Sequence, residues 1–156
     1  MQKSNEIFYS LTFGGETLSL AAAKSVLNFI DKNNVINHIS AQGNILIQKI
    51  NSLIYHLELN DVIETRGFPQ KSFLVFKNYL DNSAEDLRTF WIQQLTINKV
   101  LSLGTHLLSF SHKKKEISFL LNSYEKAFLD IKKVIKNENL HKALKCPIAK
   151  SGARDL

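Results

Sequence analysis

The chain has 156 residues, of which 44% are hydrophobic and 22% are charged, and its net charge is +6. These values are ordinary for a globular domain with one hydrophobic core, and they exclude a disordered chain. The single cysteine excludes an internal disulfide, and no apolar run approaches the roughly 18 residues that a membrane span requires. The composition therefore predicts a cytoplasmic protein without a membrane partner.

The positive charge allows two interpretations. Lysines are dispersed along the chain among acidic and amide residues, and the densest run, at 113–115, is followed at once by Glu116. No alternation of basic and aromatic residues of the kind that stacks bases is visible, so the pattern favours a solvated surface over a nucleic-acid site. It leaves open a non-catalytic interaction domain that meets an acidic partner through this surface.

The first informative segment is Thr12-Phe13-Gly14-Gly15, which stands directly before a run of strong helix formers. Helical spacing of apolar residues predicts a helix from Glu16 to about residue 31. Glycines let a ligand approach the backbone, and the N–H groups at a helix start suit an anion such as phosphate. The alternative is an ordinary helix entry, in which Gly-Gly forms a turn and Thr12 or Thr17 caps the helix.

Residues 8–30, FYSLTFGGETLSLAAAKSVLNFI, resemble the segment that opens the C-terminal part of class-III aminotransferases, which depend on pyridoxal phosphate (PLP). The resemblance is closest to the glutamate-1-semialdehyde aminomutase branch. In that family this threonine reaches across a dimer interface and binds the cofactor phosphate of the other subunit. The resemblance implies that Thr12 binds the phosphate of PLP in a homodimer, with Phe13, Gly14 and Gly15 shaping the loop.

The lysine that binds PLP covalently in this family has no counterpart in the sequence. Lys3 is too near Thr12, and its surroundings do not match. The resemblance therefore implies the C-terminal portion of a longer enzyme, or a gene that has lost its first part. The complete enzyme would move an amino group on an amino-acid or amino-sugar-like substrate, as a transaminase or as an isomerase. The isolated chain is expected to be inactive, with no catalytic residue of its own.

Apolar spacing predicts a second helix over about residues 35–57. Gly43 lies in its interior, where glycine costs stability, so either packing or a close approach of another element is expected to explain it. His38 and His56 on this helix are interpreted as surface or cap residues, because no cysteine or carboxylate pair accompanies them as metal ligands.

A β-hairpin and a third helix follow. β-Branched and aromatic residues predict strands at 61–66 and 72–76, joined by a turn that contains Gly67. Ser83 with an acidic residue three positions later predicts a capping box and a helix that continues to about residue 98. Trp91 lies in the apolar stripe of this helix, which predicts a core position rather than a stacking platform.

The last third of the chain predicts a second strand region and a long helix. Residues 100–112 are interpreted as two short strands around a glycine turn, and apolar spacing predicts a helix over about 114–137. Residues 138–156 form a polar tail that is predicted to be loosely ordered or used for contacts.

Residues 107–128, LLSFSHKKKEISFLLNSYEKAF, resemble the ending of the aminomutase branch. Ser111 and Lys113 depart from the family, which has alanine and threonine there. The resemblance places His106 where the family segment approaches the substrate mouth, so His106 is a candidate substrate contact. His112 is interpreted as a structural histidine at the entry to the last helix, because no nucleophile or carboxylate accompanies it at a recognisable spacing.

The element order predicts an α+β fold, with a small antiparallel sheet covered by helices on one face. By resemblance this is the small C-terminal domain of a fold-type-I PLP enzyme, preceded by a long connecting helix. The predicted organisation is a remnant of the cofactor-domain loop at 1–15, the small domain at 16–137 and the tail at 138–156. No metal site is predicted. Two alternatives to the aminotransferase remain, the basic interaction domain and a truncated gene product without a role of its own.

Overall fold

The structure, a computed structural model, describes residues 15–137 and 139–149. It divides into two compact units, Met1–Asn37 and His38–Leu156. The predicted boundaries at residues 15 and 137 stay predictions. None of the helices in the described part is both long and apolar enough to cross a lipid bilayer.

The first unit contains the helix α1, Thr17–Lys32, close to its predicted bounds. Glu16 caps its start and Asn33 its end, so Thr17 does not supply the cap that the sequence suggested, and Thr12, the other candidate, lies outside the described residues. No residue of this fully described helix is buried. Several of its large apolar side chains are exposed, namely Leu18, Leu20, Val26, Leu27 and Phe29.

The next helix, α2, spans Val35–His56, as predicted. It buries Leu46, Ile50 and Ile54, which recur at a spacing of four and therefore share one face. Gly43 lies against the turn of the hairpin, where a Cβ would be 1.8 Å from the carbonyl oxygen of Pro69. The predicted close approach at Gly43 is thereby confirmed.

The sheet has three antiparallel strands in the order β1-β2-β3. Their bounds are β1, Ile63–Phe68, β2, Lys71–Phe76, and β3, Thr105–Leu107. The predicted hairpin is confirmed, but its turn is shorter than the sequence suggested. Gly67 and Phe68 pair with Ser72 and Lys71, because glycine tolerates the positive φ of 102° that keeps the strand in register.

Helices cover one face of this sheet. They are α3, Ala84–Ile97, and α4, Lys114–Lys136, while the short α5, Leu140–Ala143, packs against these two helices. On β2 the buried residues alternate with more exposed ones, so Ser72, Leu74 and Phe76 face the helices. The observed architecture confirms the predicted α+β fold class.

Trp91 lies at the centre of the core. It is fully buried, and its ring contacts Tyr124 at 5.2 Å and Phe76 at 5.6 Å between centroids. The ring therefore joins α3, α4 and β2, and the predicted core position is confirmed. The capping box predicted at the start of α3 is also present, since Asp86 N–H donates to Ser83 Oγ and Ser83 N–H donates to the Asp86 carboxylate.

The prediction of two strands within residues 100–112 is wrong, because only β3 forms. The backbone before β3 serves as the exit of α3: Val100 N–H donates to the carbonyl of Leu95, and Lys99 has a positive φ of 62°. These polar groups are thus used at the helix end and cannot form a ladder. Leu101 is 92% exposed in this exit.

Of the two alternatives predicted for the tail, loose order or use in contacts, residues 139–149 follow the second. Leu140 of α5 is buried in the core. The Gln93 side chain donates to the carbonyl of Ala143 and accepts from Lys145 N–H, and Ala149 N–H donates to Thr89 Oγ1. These bonds fix the segment to α3, because the polar side chains of α3 satisfy its backbone groups.

Candidate functional site

The predicted cofactor loop is only partly described. Thr12, Phe13 and Gly14 lie outside the described residues, whereas Gly15 directly precedes the cap of α1. Gly15 is exposed, and a Cβ there would meet no described atom within 4 Å.

The start of α1 is occupied by the chain's own anion. The Glu16 carboxylate accepts hydrogen bonds from Leu18 N–H, at 3.0 Å, and from Ser19 N–H. The hydrogen bonds from Ser19 hold the pKa of Glu16 below its usual value, so the carboxylate is charged at neutral pH. These N–H groups are the ones a phosphate would use at a helix N-terminus. A phosphate site at this loop would therefore depend on the residues before Glu16.

A buried chain of polar side chains lies under the sheet. His106 Nδ1 is 2.9 Å from Ser72 Oγ, and His106 Nε2 is 2.7 Å from the Tyr124 hydroxyl. Neighbouring strands supply Ser72 and His106, since β2 and β3 pair these two residues directly. Tyr124 comes from α4. The three side chains thus connect the sheet to the helix layer through hydrogen bonds.

Burial fixes the charge states of His106 and Tyr124. It lowers the pKa of His106 to about 4, so the ring is neutral at physiological pH. It also raises the pKa of the Tyr124 hydroxyl, which therefore keeps its proton. A neutral imidazole has one donor and one acceptor, and both hydroxyls can play either part, so all members can be satisfied at once.

The Ser72–His106 pair has the residue types of a nucleophile and its base, but its position does not suit catalysis. Ser72 is 1% exposed, so its hydroxyl cannot reach a substrate. Both ring nitrogens of His106 are engaged within the protein. The geometry supports a structural role for the chain, and substrate contact by His106 stays a prediction.

His106 also lines a cavity of about 540 Å³. The walls come from the exit of α3, from β3 and from the first turns of α4, all within the second unit. Its lining residues are Lys99, Val100, Leu101, Ser102, Thr105, His106, Leu107, Leu108, His112, Lys115, Glu116, Ile117, Phe119 and Leu120. The volume lies within the range of small-molecule sites.

His112 holds the entry to α4 in place. Its Nδ1 accepts from Ser109 N–H at 2.9 Å, and its carbonyl oxygen is 3.0 Å from His38 Nε2. The structural role predicted for His112 agrees with these contacts. His38 is half-buried and contacts the Phe110 ring at 5.0 Å, so the predicted surface residue is only partly exposed. His56 is exposed, as predicted.

Sequence reasoning missed Ser72 and Tyr124 as partners of His106. Ser72 had a detectable signal, because it occupies the same face of β2 as Leu74 and Phe76 and is a polar residue at an inward position. Tyr124 lies in the apolar stripe of α4, where its hydroxyl gives no sign of a partner. Among the described residues, no group of three or more His, Cys, Asp or Glu is arranged to hold a metal ion.

Comparison with known proteins gives a likeness of fold. No family model matches the sequence, and none of the curated proteins matches it. The FumI protein of Sphingopyxis sp. MTA144, in its PLP internal aldimine form, is similar with a TM-score of 0.70 and 18% identity, over 86% of this chain and 32% of that chain.

A second similar structure is a thermostable (S)-enantioselective omega-transaminase from Thermomicrobium roseum. Its TM-score is 0.60 and its identity 14%, over 83% of this chain and 31% of that chain. The chain thus spans about a third of the length of these two structures. Identities this low show a shared fold and nothing finer.

Proposed function

We propose that this chain is the C-terminal portion of a PLP-dependent class-III aminotransferase. The observation that carries the proposal is the likeness of fold to FumI, with a TM-score of 0.70 over 86% of the chain. The omega-transaminase supports the same fold. Fold alone does not establish activity, so the sequence has to add to it. Two separate segments, 8–30 and 107–128, each resemble this family.

Thr12 is the residue proposed to bind the cofactor phosphate across a homodimer interface. PLP, when bound, supplies the electron sink for amino-group chemistry, and the protein supplies binding and orientation. The Thr12 hydroxyl can donate to a phosphate oxygen. Phe13, Gly14 and Gly15 would let the loop approach the phosphate, because glycine lets a ligand come close to the backbone.

The finer identity belongs to the same proposal. The aminomutase branch is favoured by the segment around Thr12, and an amino-acid or amino-sugar-like compound is the proposed substrate class. No residue of this sequence matches the lysine that holds PLP covalently. Amino-group transfer would therefore require a cofactor-binding part in addition to this chain, which covers about a third of its structural neighbours.

Absorbance spectroscopy with PLP tests this proposal. The chain alone, mixed with PLP and then gel-filtered, should retain no band of lysine-bound cofactor, because it lacks the lysine. The chain joined to a cofactor-binding part from the same genome should retain that band. An absorbance band of lysine-bound PLP on the isolated chain would contradict the proposal that the PLP-binding lysine belongs to a separate cofactor-binding part.

A Thr12→Val variant of the assembled enzyme tests the phosphate contact. It should weaken PLP binding about ten- to hundredfold, because a hydrogen bond to a charged group contributes about 1.5–3 kcal/mol. Thr17→Val is the matched control, since Thr17 lies in the first turn of α1 and has no proposed phosphate contact. Equal PLP affinities for the two variants would remove Thr12 from the site.

The net charge of +6 favours one second candidate, a non-catalytic domain that binds an acidic partner. That function predicts binding to a polyanion such as heparin that weakens steeply as salt rises. A heparin column at low salt tests this candidate. If the chain eluted no later than a neutral protein of equal size, the polyanion-binding function would be excluded.

A further inference from the structure

We propose that the cavity formed by residues 99–108 and 112–120 binds an organic anion with an apolar body, such as a medium-chain carboxylate. The proposal goes beyond the aminotransferase assignment and does not depend on it. It rests on three observations: the size of the cavity, the apolar side chains that it leaves in contact with water, and the charges at its rim.

The walls of the cavity are largely apolar. Leu101, Leu107 and Phe119 line it while remaining 92%, 65% and 53% exposed. Ile117 and Leu120 add further apolar surface from α4. Apolar surface left in water costs about 25 cal/mol per Å², so an apolar occupant gains by covering these side chains.

The rim favours a negative head group. Lys99 and Lys115 both line the cavity, and neither forms a salt bridge with another residue in the described part of the chain. Glu116 is the one acidic residue among the described lining residues. Its carboxylate is engaged locally, since it accepts from Lys113 N–H at 3.1 Å as part of the cap of α4.

His112 adds a hydrogen-bond donor to the rim. Its Nδ1 accepts from the backbone N–H of Ser109, so the ring proton lies on Nε2, which can donate. The rim thus carries two cations and one hydrogen-bond donor, and its only carboxylate among the described lining residues is already engaged. Such a site should bind anions more tightly than cations. The anion would be recognised at the rim, and its apolar body would lie against the walls.

Size and charge favour a small molecule over a second copy of the chain. A cavity of about 540 Å³ is within the range of drug-sized ligand sites, which are concave and mostly apolar. A second copy carries the same lysines on the same surface and the same net charge of +6, so two such faces repel each other. A carboxylate complements both the walls and the rim.

Calorimetric titration of the purified chain with octanoate, octylammonium and 1-octanol tests the proposal. Octanoate should bind saturably, with an affinity about tenfold higher than that of octylammonium, while octanol should fall between them. The methyl NMR signals of Ile117 and Leu120 should shift with octanoate. Equal affinities for all three compounds, no saturable binding, or shifts confined to other residues would overturn it.

A double variant, Lys99→Gln with Lys115→Gln, should weaken octanoate binding about five- to twentyfold and leave octanol binding unchanged. Lys49→Gln with Lys126→Gln is the matched control, because both lysines are exposed and neither lines the cavity. Equal loss in the two double variants would contradict a rim effect. The protein could instead sediment as a dimer that Leu107→Glu abolishes, and bind no octanoate. That result would assign the face to a second copy of the chain and overturn the proposal.

Discussion

His106 is kept neutral by burial rather than by a charged neighbour. Its side chain is 5% exposed, and its two ring nitrogens meet the hydroxyls of Ser72 and Tyr124. No carboxylate bonds to the ring within the described part of the chain, so protonation would place an unpaired charge in the core. Such a charge is expensive to bury, and this cost makes the stability of the fold depend on pH through His106.

Stability should therefore fall as the pH drops from about 6.5 to about 4. Below its unfolded pKa of 6.5 the unfolded chain binds a proton at His106, which the folded chain refuses until the pH approaches its folded pKa of about 4. The loss should reach about 3 kcal/mol across this window. Urea unfolding at several pH values measures it.

The His106→Gln variant supplies the comparison. It should be less stable at pH 7 but should lack most of the slope between pH 6.5 and 4.5. The carboxylates whose hydrogen bonds lower their pKa, such as Glu58 and Glu64, add their own loss mainly below 4.5, where they become protonated. An unchanged slope in this variant would assign the effect to another group.

Removing the Tyr124 hydroxyl tests the second hydrogen bond of His106. Tyr124→Phe leaves His106 Nε2 without its partner in a dry core, which should cost about 1–3 kcal/mol of unfolding free energy. Tyr55→Phe is the control, because Tyr55 is 71% exposed and should change stability by less than about 0.5 kcal/mol. Similar losses in both would show that the hydrogen bond contributes nothing.

At the scale of elements, α2 packs closely against the hairpin. Asn51 on α2 accepts from Thr65 Oγ1 at 2.6 Å, and Ser40 accepts from Gln70 Nε2 at the same distance. Gly43 lies on the same helix, against Pro69. Helix propensity disfavours glycine at position 43, whereas the close contact with Pro69 requires it, and the packing requirement outweighs the propensity.

Gly43→Ala should therefore destabilise the protein by about 2 kcal/mol or more, since its Cβ would lie 1.8 Å from the Pro69 carbonyl oxygen. Helix propensity alone predicts a gain of about 1 kcal/mol. The reverse change at an exposed position of α2, Ala41→Gly, measures that propensity in place. Thermal unfolding compares the two variants, and a gain of stability in Gly43→Ala would contradict the close approach.

The capping box of α3 makes a second prediction at this scale. Ser83→Ala removes the acceptor of Asp86 N–H and should cost about 1 kcal/mol. Ser118→Ala, on the exposed face of α4, should be neutral within about 0.5 kcal/mol. The midpoint of urea unfolding separates the two, and an unchanged midpoint for Ser83→Ala would mean that the cap is not needed.

The elements with strong local signals were predictable, and those set by neighbours were not. Apolar periodicity located α1, α2, α3 and α4 within two residues, and the Ser83 box was visible in the sequence. Residues 100–103 look strand-like, but their backbone closes the end of α3. Leu140 lies in a polar stretch, and its burial depends on contacts with other elements that no local pattern encodes.

The candidate site shows the same limit. His106 lies 34 residues from Ser72 and 18 from Tyr124, so no spacing in the sequence joins them. The pairing of β2 with β3 and the placement of α4 bring them together. The cavity beside His106 likewise arises only once the exit of α3 and the start of α4 meet, which is why its lysines and leucines read as ordinary surface residues in the sequence.

At the scale of the molecule, the structure shows a fold shared with FumI and with the omega-transaminase, and the proposed function adds to it the resemblance of two sequence segments. The likeness to FumI covers 86% of this chain but 32% of that protein, and the lysine that would hold PLP has no match here. The proposal therefore places this chain beside a cofactor-binding part, with Thr12 facing the phosphate and a homodimer completing the site.

Sequencing the DNA that precedes the Met1 codon tests this claim most directly. The account predicts a cofactor-binding domain there, in frame, in an adjacent gene or as an interrupted remnant, with a lysine on a turn after a strand. Coding sequence for unrelated proteins on this side, without any trace of such a domain, would contradict it.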